Sequence, residues 1–347
     1  MRLYDDFPRI VIWEATRACA LACDHCRAAA LPHRDPNELT TDEALRLIDE
    51  VAEWGHPLFI VTGGDPLMRP DIYDVVEHAA KRGLRVAVSP SATGRLTRES
   101  LRRLSYAGCK HLSLSLDGPD ADTHDAFRGV RGVFDRTLAI ARDAVEVGFS
   151  LQINTTIGRH NHRHVAEMAA VIASAGARAW SLFFLIPTGR AKRAQSLSAR
   201  QQETLFAELY EIWLRAPFDV KTTEAPHFRR YVLERLAVLL PEERPPKATT
   251  FSRVPAIGDG RGLVFVSHVG DVQPSGFLPL SAGNVRRQTL IEIYRTDPIL
   301  RRLRDPDTFG GNCGRCEYHL VCGGSRARAF AFTGDPFAAD PGCVLAC

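Results

Sequence analysis

Six short apolar runs punctuate the first half of the chain, and between them apolar residues recur every three to four positions. The runs are IVIWEA (10–15), LFIVTGG (58–64), RVAVSPS (85–91), HLSLSLDG (111–118), LQINTTI (151–157) and WSLFFLIP (180–187). Stretches of this length, rich in Val, Ile and Phe and bounded by Gly and Pro, read as strands. TTDEALRLIDEVAEWG, between the first two, reads as a helix. Ala44, Leu45, Ile48, Val51 and Ala52 fall on one stripe, and Thr41 or Asp42 stands where an N-cap belongs. Helices are predicted likewise over 70–82, 97–107, 133–147 and 161–175. Gly83, Gly108, Gly148 and Gly176 follow helices, where a left-handed residue closes the last turn.

Strand–helix alternation implies parallel strands joined by right-handed crossovers. Six units fall short of a closed eight-stranded barrel and suffice for an open, curved one. The expected fold is therefore α/β, a partial (β/α)6 TIM barrel over 8–190. In such folds ligands gather at the C-terminal ends of the strands. Residues 191–250 read as a helical, substrate-side linker: 198–240 is helical but interrupted by APFDVKTTEAPHF, and the breaker PEERPPKATT closes it. Over 251–347 the texture becomes that of a small α+β unit. GLVFVSHVGDVQPSG reads as a hairpin turning near Gly270-Asp271, and a short helix leads into CGRCEYHLVCGGSRARAF.

Composition narrows the setting. At 347 residues the chain exceeds the usual single core, consistent with one large and one smaller unit. The net charge of +3 gives no push toward nucleic acid or an anionic membrane. No apolar run reaches the roughly 18 residues of a membrane span, and MRLYDDFPRI lacks a signal-peptide core. A cytoplasmic protein is expected, in which thiols stay reduced.

That expectation makes the nine cysteines informative. Cys19, Cys23 and Cys26 form a C-x3-C-x2-C loop just past the first strand; Cys313, Cys316, Cys322, Cys343 and Cys347 gather at the end; Cys109 stands alone and reads as buried packing. Clustered thiols in a reducing compartment favour metal ligation over disulfides. A structural zinc wants four closed ligands. A [4Fe–4S] cluster also takes four, one per iron, so three thiolates leave one iron open.

A C-x3-C-x2-C loop after the first strand of a partial barrel resembles the radical S-adenosylmethionine (SAM) superfamily. The resemblance implies that the amino and carboxylate groups of SAM chelate the open iron. One electron from the cluster then cleaves the sulfonium to methionine and a 5′-deoxyadenosyl radical. It extends along the core. His25 takes the position of the aromatic residue near the adenine. TGGDP (62–66) is similar to the family's Gly-Gly-Glu-Pro, so Gly63, Gly64 and the carboxylate of Asp65 would meet the SAM amino group. In SLSLDGPDADTHDAFRG (113–129), Ser115 and Asp117 would lie near ribose and substrate, and Arg128 near the SAM carboxylate. Asn154, at the end of the fifth strand, would bond the ribose, and Ile186 in LIPTGRA (185–191) would lie along the adenine. Singly, a Gly-Gly-Asp-Pro is a turn and an Arg a surface ion-pair partner; the cysteine loop gives them context.

The tail, Cys313-x2-Cys316-x5-Cys322 with Cys343 beyond, resembles the auxiliary-cluster extension called SPASM in its two-cluster form and twitch in its one-cluster form. Ser275 and Ser325 stand where cysteines of the inner cluster would be, so the resemblance implies one auxiliary [4Fe–4S] cluster on Cys313, Cys316, Cys322 and Cys343. A structural zinc is the alternative, since four thiolates suit it as well. Cys347 is read as spare, or as a substitute for Cys343.

CGRCEYHLVCGGSRARAFAFTGDPFAADPGC, PSGFLPLSAGNV (274–285) and TTEAPHFRR (222–230) are similar to the radical SAM enzymes of alternative heme and heme d1 biosynthesis. That resemblance implies oxidative decarboxylation of propionates on an iron tetrapyrrole, with a reductant such as flavodoxin or ferredoxin. Arg229, Arg230, Arg326 and Arg328 become candidate carboxylate partners, because guanidinium pairs bidentately with carboxylate. His227 is a candidate for the iron or a propionate. The alternatives are a maturase that crosslinks a ribosomally made peptide, and a non-catalytic iron–sulfur or zinc scaffold. Such maturases often carry an N-terminal peptide-binding domain, and here the core begins at about residue 9.

Overall fold

The computed structural model describes residues 4–245 and 256–346. Six expected strands form: β1 (Ile10–Glu14), β2 (Leu58–Thr62), β3 (Arg85–Val88), β4 (His111–Ser115), β5 (Ser150–Ile157) and β6 (Ala179–Phe184). Each pairs in parallel with the next. A seventh, β7 (Asp219–Thr223), continues the series along β6, inside the stretch expected only to interrupt a helix. The crossovers are α1 (Thr41–Ala52), α2 (Ile72–Lys81), α3 (Arg98–Tyr106), α4 (Ala121–Arg128) with α5 (Val133–Val147), α6 (Val165–Ser174) and α7 (Ala199–Arg215); α8 (His227–Ala237) follows β7. Helix α4 is an addition to the expected set. Asp120 caps it, accepting from Thr123 N at 2.8 Å.

Local chemistry explains the boundaries. The N-cap of α1 is Thr40, one residue before the expected pair. Its hydroxyl accepts from Glu43 N at 3.2 Å, and Glu43 accepts from Thr40 N at 2.8 Å, a reciprocal capping box. Gly83, Gly108, Gly148 and Gly176 all take positive φ past their helices. Asn154 lies within β5, not at its end.

Alternation along the strands separates two faces. Val11, Trp13, Phe59, Val61, Leu112, Leu114, Leu151, Ile153, Trp180 and Leu182 are wholly or nearly buried in one continuous core under the helices. Burying side chains of this size contributes about 1.5–3 kcal/mol each. Thr62, Ser113, Ser115, Gln152, Asn154, Thr156 and Phe183 fall on the opposite, partly exposed face. That face is the concave side of the partial barrel.

The C-terminal segment extends the same sheet. β8 (Leu263–Val266) lies parallel to the free edge of β1, β9 (Asp271–Gln273) returns antiparallel through a turn at Gly270, and β10 (Gly283–Asn284) adds the outer edge. The sheet therefore runs unbroken from the tail into the core. The expected border at 250/251 and Cys347 fall outside the described residues. Beyond β10 come α9 (Leu290–Thr296), α10 (Pro298–Leu303), α11 (Gly311–Arg315) and α12 (Arg326–Thr333). Several bonds tie this part to the front of the chain, among them Tyr294 OH donating to Tyr4 O at 2.8 Å and Arg286 pairing with Glu43 at 2.7 Å. Among the described residues no helix is long and apolar enough to cross a membrane.

Candidate functional site

The Cys19–Cys26 loop leaves the C-terminal end of β1 and is held by backbone from two neighbouring strand ends. Gly64 N donates to Thr16 O and Asp65 N to Ala18 O, both at 2.7 Å. A Cβ on Gly63 would stand 2.5 Å from Thr16 O, and one on Gly64 2.3 Å from Ala18 O. The glycine pair is thus required by close approach to the loop. Past β6, Gly189 does the same from the other side: its Cβ would meet Arg27 O at 2.3 Å and Cys26 O at 2.4 Å. Arg190 completes the clamp, with Nε donating to Cys23 O at 2.9 Å and Nη1 to Ala30 O at 3.2 Å.

Cys19 and Cys23 are buried and Cys26 is half-buried, all within one small apolar cluster. Donors already face each sulfur. Leu21 N lies 3.4 Å from Cys19 Sγ, Ala30 N 3.4 Å from Cys26 Sγ, and Arg128 Nη1 3.8 Å from Cys23 Sγ. Arg128 also pairs with Asp117, Nη2 to Oδ2 at 2.5 Å. Asp117 is wholly buried and accepts from Thr156 N at 2.7 Å. Burial would raise its pKa, but Arg128 above all, then His25 and His124, hold it down at about 2.

His25 stacks on Phe127 with centroids 3.9 Å apart, and Phe127 stacks on His160 at 3.7 Å. Burial lowers the His25 pKa to about 3 and that of His160 to about 4, so both rings are neutral at pH 7. His25 Nδ1, His160 Nε2, Arg128 Nε and Arg190 Nη2 are buried with no hydrogen-bond partner among the described residues. Ser115 and Asn154 are in direct register on β4 and β5, half-buried on the concave face.

Two side chains expected near this loop's cosubstrate have other neighbours in this structure. The carboxylate of Asp65 is wholly buried and turned inward: it accepts from Thr93 Oγ1 at 2.9 Å, Leu67 N at 3.2 Å and Ser91 N at 3.4 Å. It caps the turn after β2, leaving the backbone of 62–65 as what borders the loop. Ile186 is buried among Leu278, Leu303, Phe309 and Phe337, so its side chain packs into the tail.

In the tail, Cys313, Cys316, Cys322 and Cys343 all line one cavity of about 430 Å³. Asp340 N (3.2 Å) and Arg326 Nη2 (3.4 Å) face Cys313 Sγ, Tyr318 N faces Cys316 Sγ at 3.4 Å, and Gly324 N faces Cys322 Sγ at 3.4 Å. Gly324 is required here, since its Cβ would lie 2.9 Å from Cys313 Sγ. Burial pushes the unliganded thiols up, Cys322 to about 12 and Cys343 to about 11. Cys109 lies elsewhere, fully buried, its thiol near His111 O at 3.3 Å.

The two serines at expected cysteine positions serve local structure. Ser275 Oγ accepts from Phe277 N at 3.2 Å. Ser325 Oγ caps α12, accepting from Arg328 N at 2.9 Å, and donates to the Glu224 carboxylate.

Most of the proposed propionate partners are taken up internally. Arg326 is buried and donates to Pro336 O at 3.1 Å and Ala338 O at 2.7 Å. Arg328 is buried and pairs with Asp340 at 3.0 Å. Arg230 pairs with Glu203 and, at 2.7 Å, with Glu234. His227 is wholly buried, 3.1 Å from Gln202 Oε1, and lines the tail cavity instead of the concave face. Arg326 and Arg328 satisfy carbonyls and a carboxylate of a tail with little regular structure, which is why they are inside, while Arg230 is held by carboxylates of α7 and α8. Arg229 is half-buried with Tyr4 and Cys322 nearby.

Sequence reasoning missed a buried charge network at the mouth. Arg27 pairs with Glu14 at 3.0 Å, and His268 Nδ1 lies 2.9 Å from the other Glu14 oxygen. It ties the end of β1, the cysteine loop and the β8–β9 turn together. A glycine–arginine pair a few residues past a strand end, as at 189–190, was the available signal for the loop clamp.

A family model described as the Radical SAM superfamily matches residues 13–172. A protein of Methanosarcina barkeri named AdoMet-dependent heme synthase is 40% identical over 339 residues, covering 97% of this chain and 96% of that protein. One of the same name from Nitratidesulfovibrio vulgaris is 40% identical over 337 residues, covering 96% and 92%. Among solved structures, Streptococcus suis SuiB bound to S-adenosylmethionine superposes with a TM-score of 0.76 at 17% identity, covering 98% of this chain and 78% of that one.

Proposed function

This chain belongs to the radical SAM superfamily, and on that premise we propose that it oxidatively decarboxylates propionate side chains of an iron tetrapyrrole in heme-type biosynthesis. The observation that carries the reading is 40% identity, tail included, to relatives named AdoMet-dependent heme synthase.

The family implies a [4Fe–4S] cluster and SAM, which together supply a 5′-deoxyadenosyl radical able to remove a hydrogen atom. The residues at the loop fit that pair. Cys19, Cys23 and Cys26 would offer one thiolate each to three irons, with N–H groups already aimed at their sulfurs. The unpartnered atoms of His25, Arg128, His160 and Arg190 supply buried donors and acceptors for a polar cosubstrate. Asp117 holds Arg128 in place, while the Gly63-Gly64 and Gly189-Arg190 backbones fix the loop. Ser115 and Asn154 are within the concave face that the ribose and substrate would share.

Cys313, Cys316, Cys322 and Cys343 would hold a second [4Fe–4S] cluster and so supply a one-electron acceptor. The four thiols line one cavity, and N–H groups already face the sulfurs of Cys313, Cys316 and Cys322, which suits thiolate ligation there. The substrate balance needs such an acceptor: each propionate gives up one hydrogen atom from its β-carbon, then CO2 and one electron, and becomes a vinyl group. A flavodoxin- or ferredoxin-like partner would deliver the initiating electron.

The test is anaerobic turnover of the reconstituted protein with iron-coproporphyrin III, SAM and dithionite, followed by mass spectrometry. Loss of CO2 from the tetrapyrrole together with 5′-deoxyadenosine is the expected result. Tight binding without CO2 loss would move the protein to a neighbouring step, and no binding would move the substrate to a peptide.

A further inference from the structure

Among β1 to β7, Phe183 is the only Phe, Tyr or Trp on the concave face; on β8, Phe265 shares that face, in register with Ile12, but is buried. The positions in register with Phe183 are Thr156 on one side and Thr223 on the other, with Ser181 two residues back on the same strand and Asn154 beside Ser181. Phe183 is an apolar ring among small polar groups, outside the buried clusters and partly exposed. Its neighbour comes from the tail. Phe277, also partly exposed, lies with its ring centroid 6.1 Å from that of Phe183, tilted by 47°.

The Phe277 loop is fixed to both sides of the site. Thr188 Oγ1, just past β6, donates to Phe277 O at 3.3 Å. Gly276 packs against Arg27, where a Cβ would stand 3.0 Å from Cδ and Nε. Arg27 follows Cys26 directly, pairs with Glu14 and lies 4.7 Å over the Phe265 ring. The aromatic pair is thus set at the seam between the cysteine loop and the tail that carries the second set of thiols.

We propose that Phe183 and Phe277 form the platform on which the face of a planar, aromatic macrocycle rests during the reaction, with Arg27 and Gly276 as positioning residues that set its distance from Cys26. This deepens the proposed function and rests on its tetrapyrrole reading. The chemistry matches on both counts. Rings about 6 Å apart and tilted present π-faces and edges to a flat ligand. The polar row on the same face leaves the ligand's rim facing hydroxyls and amides, not apolar walls.

The experiment is an anaerobic Soret titration of the reconstituted holoprotein with iron-coproporphyrin III, without SAM or reductant so that nothing turns over. Phe183→Ala and Phe277→Ala are each expected to weaken binding about tenfold or more. Phe183→Tyr should keep the affinity. Phe183→Leu, which conserves apolar bulk, should lose most of what Ala loses and guards against a folding artefact, as does unchanged iron content in every variant. Phe332→Ala, at an aromatic held under Arg193 on α12, should bind as the parent does. Parent binding with undiminished affinity in both Ala variants, or full affinity in Phe183→Leu, overturns the platform while leaving the functional reading intact. No binding by the parent overturns the tetrapyrrole reading and the platform with it.

Discussion

Replacing Asp117 with Asn removes one charge beside the cysteine loop and keeps the side chain's shape. Asp117 has no exposed surface, and its partners are Arg128 at 2.5 Å and Thr156 N at 2.7 Å. Its pKa of about 2, despite burial, reflects mainly the Arg128 charge. A depression of roughly two units below the ordinary carboxylate corresponds to about 2–3 kcal/mol. Removing one member of a buried pair costs about 3–5 kcal/mol, because the other charge is left uncompensated. We expect about 3 kcal/mol. With an unfolding entropy of about 2.1 cal/mol/K per residue, that lowers Tm by roughly 4 °C for a chain of this length. The assay is anaerobic calorimetry of the reconstituted protein at pH 7 for Asp117→Asn, Arg128→Met and the double variant. The double variant should lose clearly less than the sum of the singles. The folded pKa lies below the unfolded one. The stabilisation is therefore complete above about pH 4, and the gap between parent and Asp117→Asn closes as pH falls from there toward 2. A Tm change under about 1 °C, or strictly additive losses, would refute the reasoning.

Gly189→Ala places a Cβ 2.3 Å from Arg27 O at a φ of 63°, so the loop must shift; iron analysis should fall from about eight to about four per chain. Cys19→Ala, Cys23→Ala or Cys26→Ala should abolish 5′-deoxyadenosine formation, measured by chromatography. Cys316→Ala should retain part of it and lose the decarboxylated product. Ser325→Ala removes the cap of α12 and a donor to Glu224; calorimetry should show a loss of about 1–2 kcal/mol, with iron content unchanged.

The periodic parts of this fold were legible because their burial is one-sided. β2, β4 and β5 alternate cleanly, and the α1 stripe reads directly from Ala44, Ile48 and Val51. β7 escaped notice because DVKTT carries one core residue, Val220, between two long helical patterns. The cysteine loop was legible from spacing and its place after a strand. What spacing does not reveal is direction. Asp65 sits in the expected motif, yet the turn it caps claims its carboxylate. Arg326 and Arg328 read in sequence as candidate carboxylate partners of a substrate, and only the carbonyls and Asp340 that surround them explain their burial. Glu14 and His268 are 254 positions apart and meet because β8 docks on β1.

The central claim is hydrogen abstraction from a propionate at the concave face, and isotope transfer tests it most directly. Iron-coproporphyrin III deuterated at the propionate β-carbons is turned over anaerobically with SAM and reductant, and the 5′-deoxyadenosine is analysed by mass spectrometry. The account predicts deuterium in the 5′-deoxyadenosine, in step with CO2 loss from the tetrapyrrole. Unlabelled 5′-deoxyadenosine, with the propionates of the bound tetrapyrrole intact, would contradict it.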